Sequence, residues 1–273
     1  MYGAIIGDLA GSIYEYDQTK EIKNVKVDKL ILSNSFYSDD TILTIAVIDA
    51  ILHDYDYEKY IKMYIDKYKD YKPNFKPYFA SSFSPGLIKW AEGKKANNST
   101  GNGAMMRVSG VGYLFDRKID VLEHAKLATI PSHNSMEAID AATKIALLIY
   151  YFRNGFNKEE VIDRFNFDLK HEPFTKFNTT CNETIDNCLY SVFNTNNFED
   201  SIRKVISYGG DTDTNACIVG SITESIYGID ESLVKEANEK IPEEFQKVLK
   251  RTYYYRWYYE FKTIYKKNYF RKR

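Results

Sequence analysis

Two short segments gather more carboxylate and hydroxyl oxygen than local structure ordinarily needs: Tyr37-Ser38-Asp39-Asp40-Thr41 and Gly209-Gly210-Asp211-Thr212-Asp213-Thr214. Each stands directly before an apolar stretch. One reading is helix capping, because Ser and Asp side chains accept hydrogen bonds from the first backbone N–H groups and acids there complement the helix dipole. The other is a cation site. Neighbouring acids repel one another unless a proton or a cation relieves them, and each segment holds more oxygen than a single cap uses. Brought together, Asp39, Asp40, Asp211 and Asp213, with Ser38 and Thr214, would make an all-oxygen set without Cys or His. Such a set suits a hard ion, Mg²⁺ or Mn²⁺, better than Zn²⁺, and two ions can share it. Residue order alone does not show that the two segments meet, so both readings stand.

The elements that must carry these residues are helical. The stretch Thr41 to Leu52 is apolar on nearly every face and predicts a buried helix. Tyr57 to Tyr71 is amphipathic and ends before Pro73, and Ala138 to Phe152 is closed by Asn154-Gly155. Asn215 to Tyr227 stops at Gly228. Glu231 to Ile241 and Glu243 to about Phe261 are separated by Pro242. Lys23 to Leu32 reads as a short strand or a loop. Lys72 to Gly103 reads as a long loop holding one short helix around Leu87 to Glu92. Alternating strand patterns are scarce and no fixed-period repeat occurs. The expectation is therefore one mainly helical domain over residues 1–273, with a distinct segment at 250–273.

Composition bounds the alternatives. The chain has 273 residues, 44% hydrophobic and 27% charged, with a formal net charge of −1, as in globular rather than disordered or membrane-spanning proteins. No apolar run reaches the roughly 18 residues of a bilayer helix, and Ala4 to Ala10 is interrupted by Asp8 and lacks a basic flank, unlike a signal peptide. Cys181, Cys188 and Cys217 follow no metal-ligand spacing, and an odd count fits reduced thiols; a cytoplasmic location is the expectation. Residues 250–273 contain nine Lys/Arg and one acid, Glu260, among ten aromatic rings. Basic residues interleaved with aromatics can hold nucleic acid, but the favoured reading is a terminal helix that packs its rings on the core while its cationic heads reach water.

Four segments together resemble the ADP-ribosylglycohydrolase family across nearly the whole chain: Gly3 to Glu15, Tyr37 to Thr41, Gly101-Asn102-Gly103-Ala104-Met105-Met106-Arg107, and Gly209 to Asn215, in the family's order. Ser132-His133 adds a weaker match to a Thr-His pair. The resemblance implies an all-α domain with two Mg²⁺ ions in a central cleft, held by Ser38, Asp39 and Asp40 from one side and by Asp211, Asp213 and Thr214 from the other. It implies that the Gly101 to Met105 segment and His133 bind the diphosphate of ADP-ribose. It also implies that Glu15, or a metal-bound Asp such as Asp40, handles the proton, with Asp8 supporting the metal site from behind.

The implied activity is hydrolysis of the ribosyl C1″ bond of ADP-ribosylated protein side chains, through an oxocarbenium-like transition state. Serine-linked substrates are favoured and arginine-linked ones come next. The alternatives are a hydrolase of free or nucleic-acid-linked ADP-ribose derivatives and a non-catalytic ADP-ribose or nucleic-acid binding protein. A monomer is expected. Thr100 departs from the family's pattern, in which an aromatic residue commonly precedes Gly-Asn-Gly, and Phe79 and Phe83 are candidate replacements for that ring. Ser38 stands for a more frequent Thr and keeps the hydroxyl.

Overall fold

The computed structural model describes residues 1–15, 25–73, 81–95, 98–170, 173, 177 and 179–270, with side chains described as far as residue 256. Among these residues it is a bundle of fourteen helices: α1 (Tyr2–Gly11), α2 (Asp39–Ile51), α3 (Tyr57–Tyr68), α4 (Pro85–Ala91), α5 (Gly103–Met106), α6 (Ser109–Leu114), α7 (Lys118–Thr129), α8 (Met136–Arg153), α9 (Lys158–Phe165), α10 (Cys181–Phe193), α11 (Phe198–Ser207), α12 (Thr212–Tyr227), α13 (Glu231–Asn238) and α14 (Glu243–Phe270). No strand forms among the described residues beyond one isolated antiparallel bridge, Gly101 to Thr180. The all-α expectation holds, and no helix among the described residues is long and apolar enough to cross a membrane.

Two helices apolar on all sides lie at the centre. In α2, Ile42, Leu43, Ile45, Val47 and Ile48 are fully buried, because α1, α3, α6 and α14 surround it. Burial of one such side chain contributes about 1.5–3 kcal/mol, enough to hold in place a helix whose sequence has no polar face. Every residue of α1 is buried as well. It lies along α12 through Gly3, Gly7 and Gly11, which recur every fourth residue and so share one face. A Cβ on Gly7 would overlap the Ala216 carbonyl, and one on Gly3 or Gly11 would overlap the carbonyls of Gly220 or Thr212. Only a side chain of hydrogen lets these two backbones approach so closely. The contact brings the start of α12 beside the end of α1.

The helices expected from periodicity are present, with ends moved by a few residues. The one expected over Tyr57 to Tyr71 stops at Tyr68, and the one expected over Glu231 to Ile241 stops at Asn238. Gly155 and Gly228 adopt φ of 85° and 71° behind α8 and α12, as helix-ending glycines do. Residues 25–32 are irregular rather than a strand; Lys23 and Asn24 lie outside the described residues. The helices α1, α6, α7, α9, α10 and α11 were not read from the pattern. In α14, Phe245 and Leu249 are fully buried and the Tyr253 hydroxyl donates to Glu224 Oε1 at 2.7 Å. The first part of the basic segment thus packs on the core; its rings from Trp257 onward lie outside the described side chains.

Candidate active site

Three helix ends converge on one cleft of about 320 Å³. Glu15 follows α1, Asp39 and Asp40 open α2, and Asp211, Asp213 and Thr214 lie at the start of α12; all six line this cavity. The two acid-rich segments, far apart in the chain, therefore meet: Thr214 Oγ1 donates to Asp40 Oδ2 at 3.2 Å across 174 positions.

Each acid is held in a particular way. Ser38 caps α2, accepting from the Asp40 N–H at 3.1 Å, and its hydroxyl donates to Asp8 Oδ1 at 2.8 Å. The Ser38 and Thr41 backbone N–H groups donate to Asp8 Oδ2 at 2.9 and 3.1 Å, and the Thr41 hydroxyl adds a short fourth bond. Asp8, on α1, thus ties down the first turn of α2 from behind. Ser82 Oγ accepts from the Asp39 N–H at 2.8 Å, and Asn102 Nδ2 donates to Asp211 Oδ2 at 2.6 Å. Capping and cation binding are therefore compatible here: Ser38 caps while Asp39 and Asp40 face the cleft.

The donor set fits metal ions. Asp8, Asp40 and Asp213 each offer an oxygen within 4.8 Å of the others, and so do Glu15, Asp211 and Asp213. Asp213 belongs to both groups, and an oxygen-only set of this kind is what hard divalent ions take. Asp40 Oδ1 is buried with no hydrogen-bond partner among the described residues, a costly state unless a cation or a proton occupies it. Burial, followed by the charges of Asp8 and Glu15, pushes the Asp39 carboxyl up to about 8. Burial pushes Asp8 up to about 6 against its hydrogen bonds. Burial and then the neighbouring carboxylates raise Asp40 and Asp213 further. The cluster therefore favours positive charge or protons more strongly than isolated carboxylates do.

The facing wall is built from turns and short helices. Gly101, Asn102 and Gly103 line the cleft, whereas Ala104 and Met105 are buried beneath them. The Ala104 and Met105 N–H groups bond to the Gly101 and Asn102 carbonyls at 3.4 and 2.8 Å, and the Asn102 N–H is taken by Thr179 O at 2.8 Å. Of the residues expected to bind the diphosphate in this segment, Gly101, Asn102 and Gly103 line the cleft and Ala104 and Met105 do not. His133 closes over this loop, so near that a Cβ on Gly103 would meet its Nε2 at 3.4 Å. Its Nδ1 bonds to Ser132 Oγ at 2.9 Å, which accepts from Arg107 Nη2 at 2.7 Å. Burial, then the Arg107 charge, lowers the His133 imidazole to about 3, so the ring is neutral. The Ser132–His133 bond fixes the orientation of the ring, and Nε2 faces the loop.

Several cleft residues carried no assigned role from sequence. Arg107 ended a recognised segment, yet only the structure shows that it is fully buried, lines the cleft and has Nε and Nη1 without partners among the described residues. Ser82, Thr179 and Phe177 had no signal at all. Of the candidate rings, Phe83 is buried and absent from the cleft wall and Phe79 lies outside the described residues. Phe177, 51% exposed, presents the aromatic surface there. Ser38 is fully buried behind Asp40 rather than on the cleft wall.

Comparison with known proteins gives the family and the fold. Residues 1–267 match the family profile described as ADP-ribosylglycohydrolase. The chain is 24% identical over 282 aligned positions to L543 of Acanthamoeba polyphaga mimivirus, whose name carries the same glycohydrolase designation, covering 82% of this chain and 84% of that protein. It is 24% identical to the ADP-ribosylhydrolase ARH3 of Xenopus tropicalis over 57% of this chain and 49% of that one. It is 22% identical to the ADP-ribosylarginine hydrolase Tri1 of Pseudomonas putida over 52% and 42%. A solved structure titled as an ADP-ribosylglycohydrolase-related protein complex superposes with a TM-score of 0.71 at 19% identity, covering 93% of this chain and 95% of the other.

Proposed function

The chain belongs to the ADP-ribosylglycohydrolase family, and from that premise we propose that it is a Mg²⁺-dependent hydrolase releasing ADP-ribose from modified protein side chains. The observation that carries this reading is that Glu15, Asp39, Asp40, Asp211 and Asp213 open on the same cleft as Gly101, Asn102, Gly103 and His133. Serine-linked ADP-ribose is the favoured substrate, on the likeness of the Ser12 to Glu15 and Tyr37 to Thr41 segments to that branch of the family. Arginine-linked substrate comes next, and the similarity to Tri1 supports testing it.

Asp40, Asp211 and Asp213, with Asp39, Thr214 and Glu15 at their edge, would hold two Mg²⁺ ions, which supply Lewis-acid stabilisation to the oxygens around the reacting ribose. Cleavage breaks the C1″ bond to the side chain as positive charge builds on the sugar. The hydroxyl of water is added to C1″ and its proton passes to the leaving side chain. Glu15 would carry that proton, a role supported by its position in the cleft beside Asp211 and Asp213, with Asp40 the second carboxylate at the reacting end. Across the cleft His133, its ring held by Ser132, turns Nε2 toward the Gly101 loop where the diphosphate would lie, and the buried Arg107 cation bonded to Ser132 adds favourable potential.

A panel of serine-, arginine- and nucleic-acid-linked ADP-ribose, each assayed with Mg²⁺ and with excess EDTA, tests the reading. The expected result is release of ADP-ribose from the serine-linked substrate that EDTA stops. Tight binding of ADP-ribose with no release from any substrate would establish a binding protein instead.

A further inference from the structure

We propose that the cleft continues past His133 into a cationic pocket that takes a phosphoryl group carried on the adenosine ribose, so that phosphorylated ADP-ribose binds in preference to ADP-ribose. The proposal rests on the ADP-ribose reading of the cleft. A second cavity of about 200 Å³ shares Ser84, Leu87, Ser99 and His133 with the first, and Lys89, Lys94 and Lys95 line it. Its wall contains no carboxylate, whereas the first cleft is lined by five. The two cavities adjoin at these shared residues, one lined by carboxylates and the other by lysines.

The lysines are placed by a defined turn. Gly93, at φ 105°, ends α4 so that its own N–H bonds to Trp90 O at 3.0 Å and the Lys94 N–H returns to Lys89 O at 3.1 Å. That pair of bonds is the Schellman arrangement, which needs a residue tolerant of positive φ at the Gly93 position. It folds Lys94 and Lys95 back beside Lys89. Among the described residues no carboxylate pairs with any of the three ammonium groups, although many other surface lysines in this chain, such as Lys59 and Lys62, are paired.

The direction of the ligand then decides what reaches this pocket. With the distal ribose at the acids and the diphosphate at Gly101 to Gly103 and His133, the nucleoside is what extends past His133. Leu87 and the edge of Trp90 offer apolar surface for a neutral nucleoside, and no cation is needed to hold one. Three like charges around one cavity repel one another, and an anion relieves that cost. A phosphomonoester carries about −1.5 to −2 charges at neutral pH and matches this set.

Binding of ADP-ribose and of ADP-ribose 2′-phosphate to the full chain, measured by calorimetry with Mg²⁺ at low ionic strength, tests the proposal. The 2′-phosphate is expected to bind roughly tenfold more tightly, with an advantage that shrinks as salt is raised. In Lys94→Glu/Lys95→Glu, and more mildly in Lys94→Gln/Lys95→Gln, the ratio of the two affinities is expected to fall toward one. These side chains are exposed, and circular dichroism of each variant reads its fold independently. Equal affinities in the unmodified chain, or a ratio unchanged in a folded double variant, would overturn the pocket while leaving the cleft reading intact. Failure of both ligands to bind the unmodified chain would overturn the two together.

Discussion

The acidic wall of the cleft stands on α1, α2 and α12, all deep in the core, while the facing wall runs over the short helices α4 and α5 and the turns around them. On the first wall, Gly3, Gly7 and Gly11 press backbone against backbone and Asp8 ties two helices with four hydrogen bonds. On the second, Gly86 has nothing within 4 Å of an added Cβ and Phe177 is half exposed. A cluster of buried carboxylates repels itself, so its positions must be enforced by backbone contacts that cannot relax. A surface that recognises a ligand by hydrogen bonds, ring contact and screened charge does not need such enforcement. On the proposed reading, chemistry and recognition fall to walls that differ in how closely backbone packs on backbone.

The sharpest break of this contrast is expected from Asp213→Ala set against His133→Ala. Removing the carboxylate shared by both acid groups should lower kcat by about a thousandfold or more, whereas His133→Ala should act chiefly on KM. Equal effects on kcat would erase the distinction between the walls. Asp8→Asn keeps the volume but removes charge and part of the accepting capacity behind Asp40. It should weaken Mg²⁺ binding by roughly 10–100-fold, measured by metal titration of activity; unchanged affinity would mean that Asp8 does not support the site.

Glycine substitutions compare the walls through stability. Gly7→Ala drives a methyl group into the Ala216 carbonyl and is expected to cost about 1–3 kcal/mol or more, whereas Gly86→Ala should be neutral or slightly stabilising in helix α4. Denaturant unfolding of the two variants side by side checks this, and equal midpoints would contradict the close-packed account of α1 and α12.

The smallest expected effect is in pH dependence. Asp8 and Asp39 are raised from an ordinary 3.8 to about 6 and about 8, first by burial. The folded, metal-free chain therefore binds more protons than the unfolded chain between these values, and its stability falls as pH rises through that window. On the proposed reading Mg²⁺ takes the place of those protons, so the increase in Tm on adding Mg²⁺ should be larger at pH 8 than at pH 5. An equal or reversed increment would show that these acids are not relieved by the metal.

How much of this was legible from sequence varies with the range of the interaction. The helices beginning at Asp39 and Thr212 could be read because capping and apolar runs are local signals, and the acid pairs could be read as oxygen-rich. Helix α1 could not, since its glycines look like loop formers until a partner backbone is beside them. Arg107 and Phe177 were silent for a similar reason: one owes its role to burial behind His133, the other to its position on the cleft wall.

By itself the sequence determined the residue types that can do chemistry, the order of the four segments and the helical character of most elements, because capping, periodicity and glycine placement act over a few neighbouring residues. Only the tertiary structure decided that Asp40 and Thr214 touch, that Asp213 belongs to two acid groups, and that the Gly101 loop faces them. Those facts depend on packing between helices far apart in the chain, above all α1 against α12, and no local pattern records how closely two backbones come to lie.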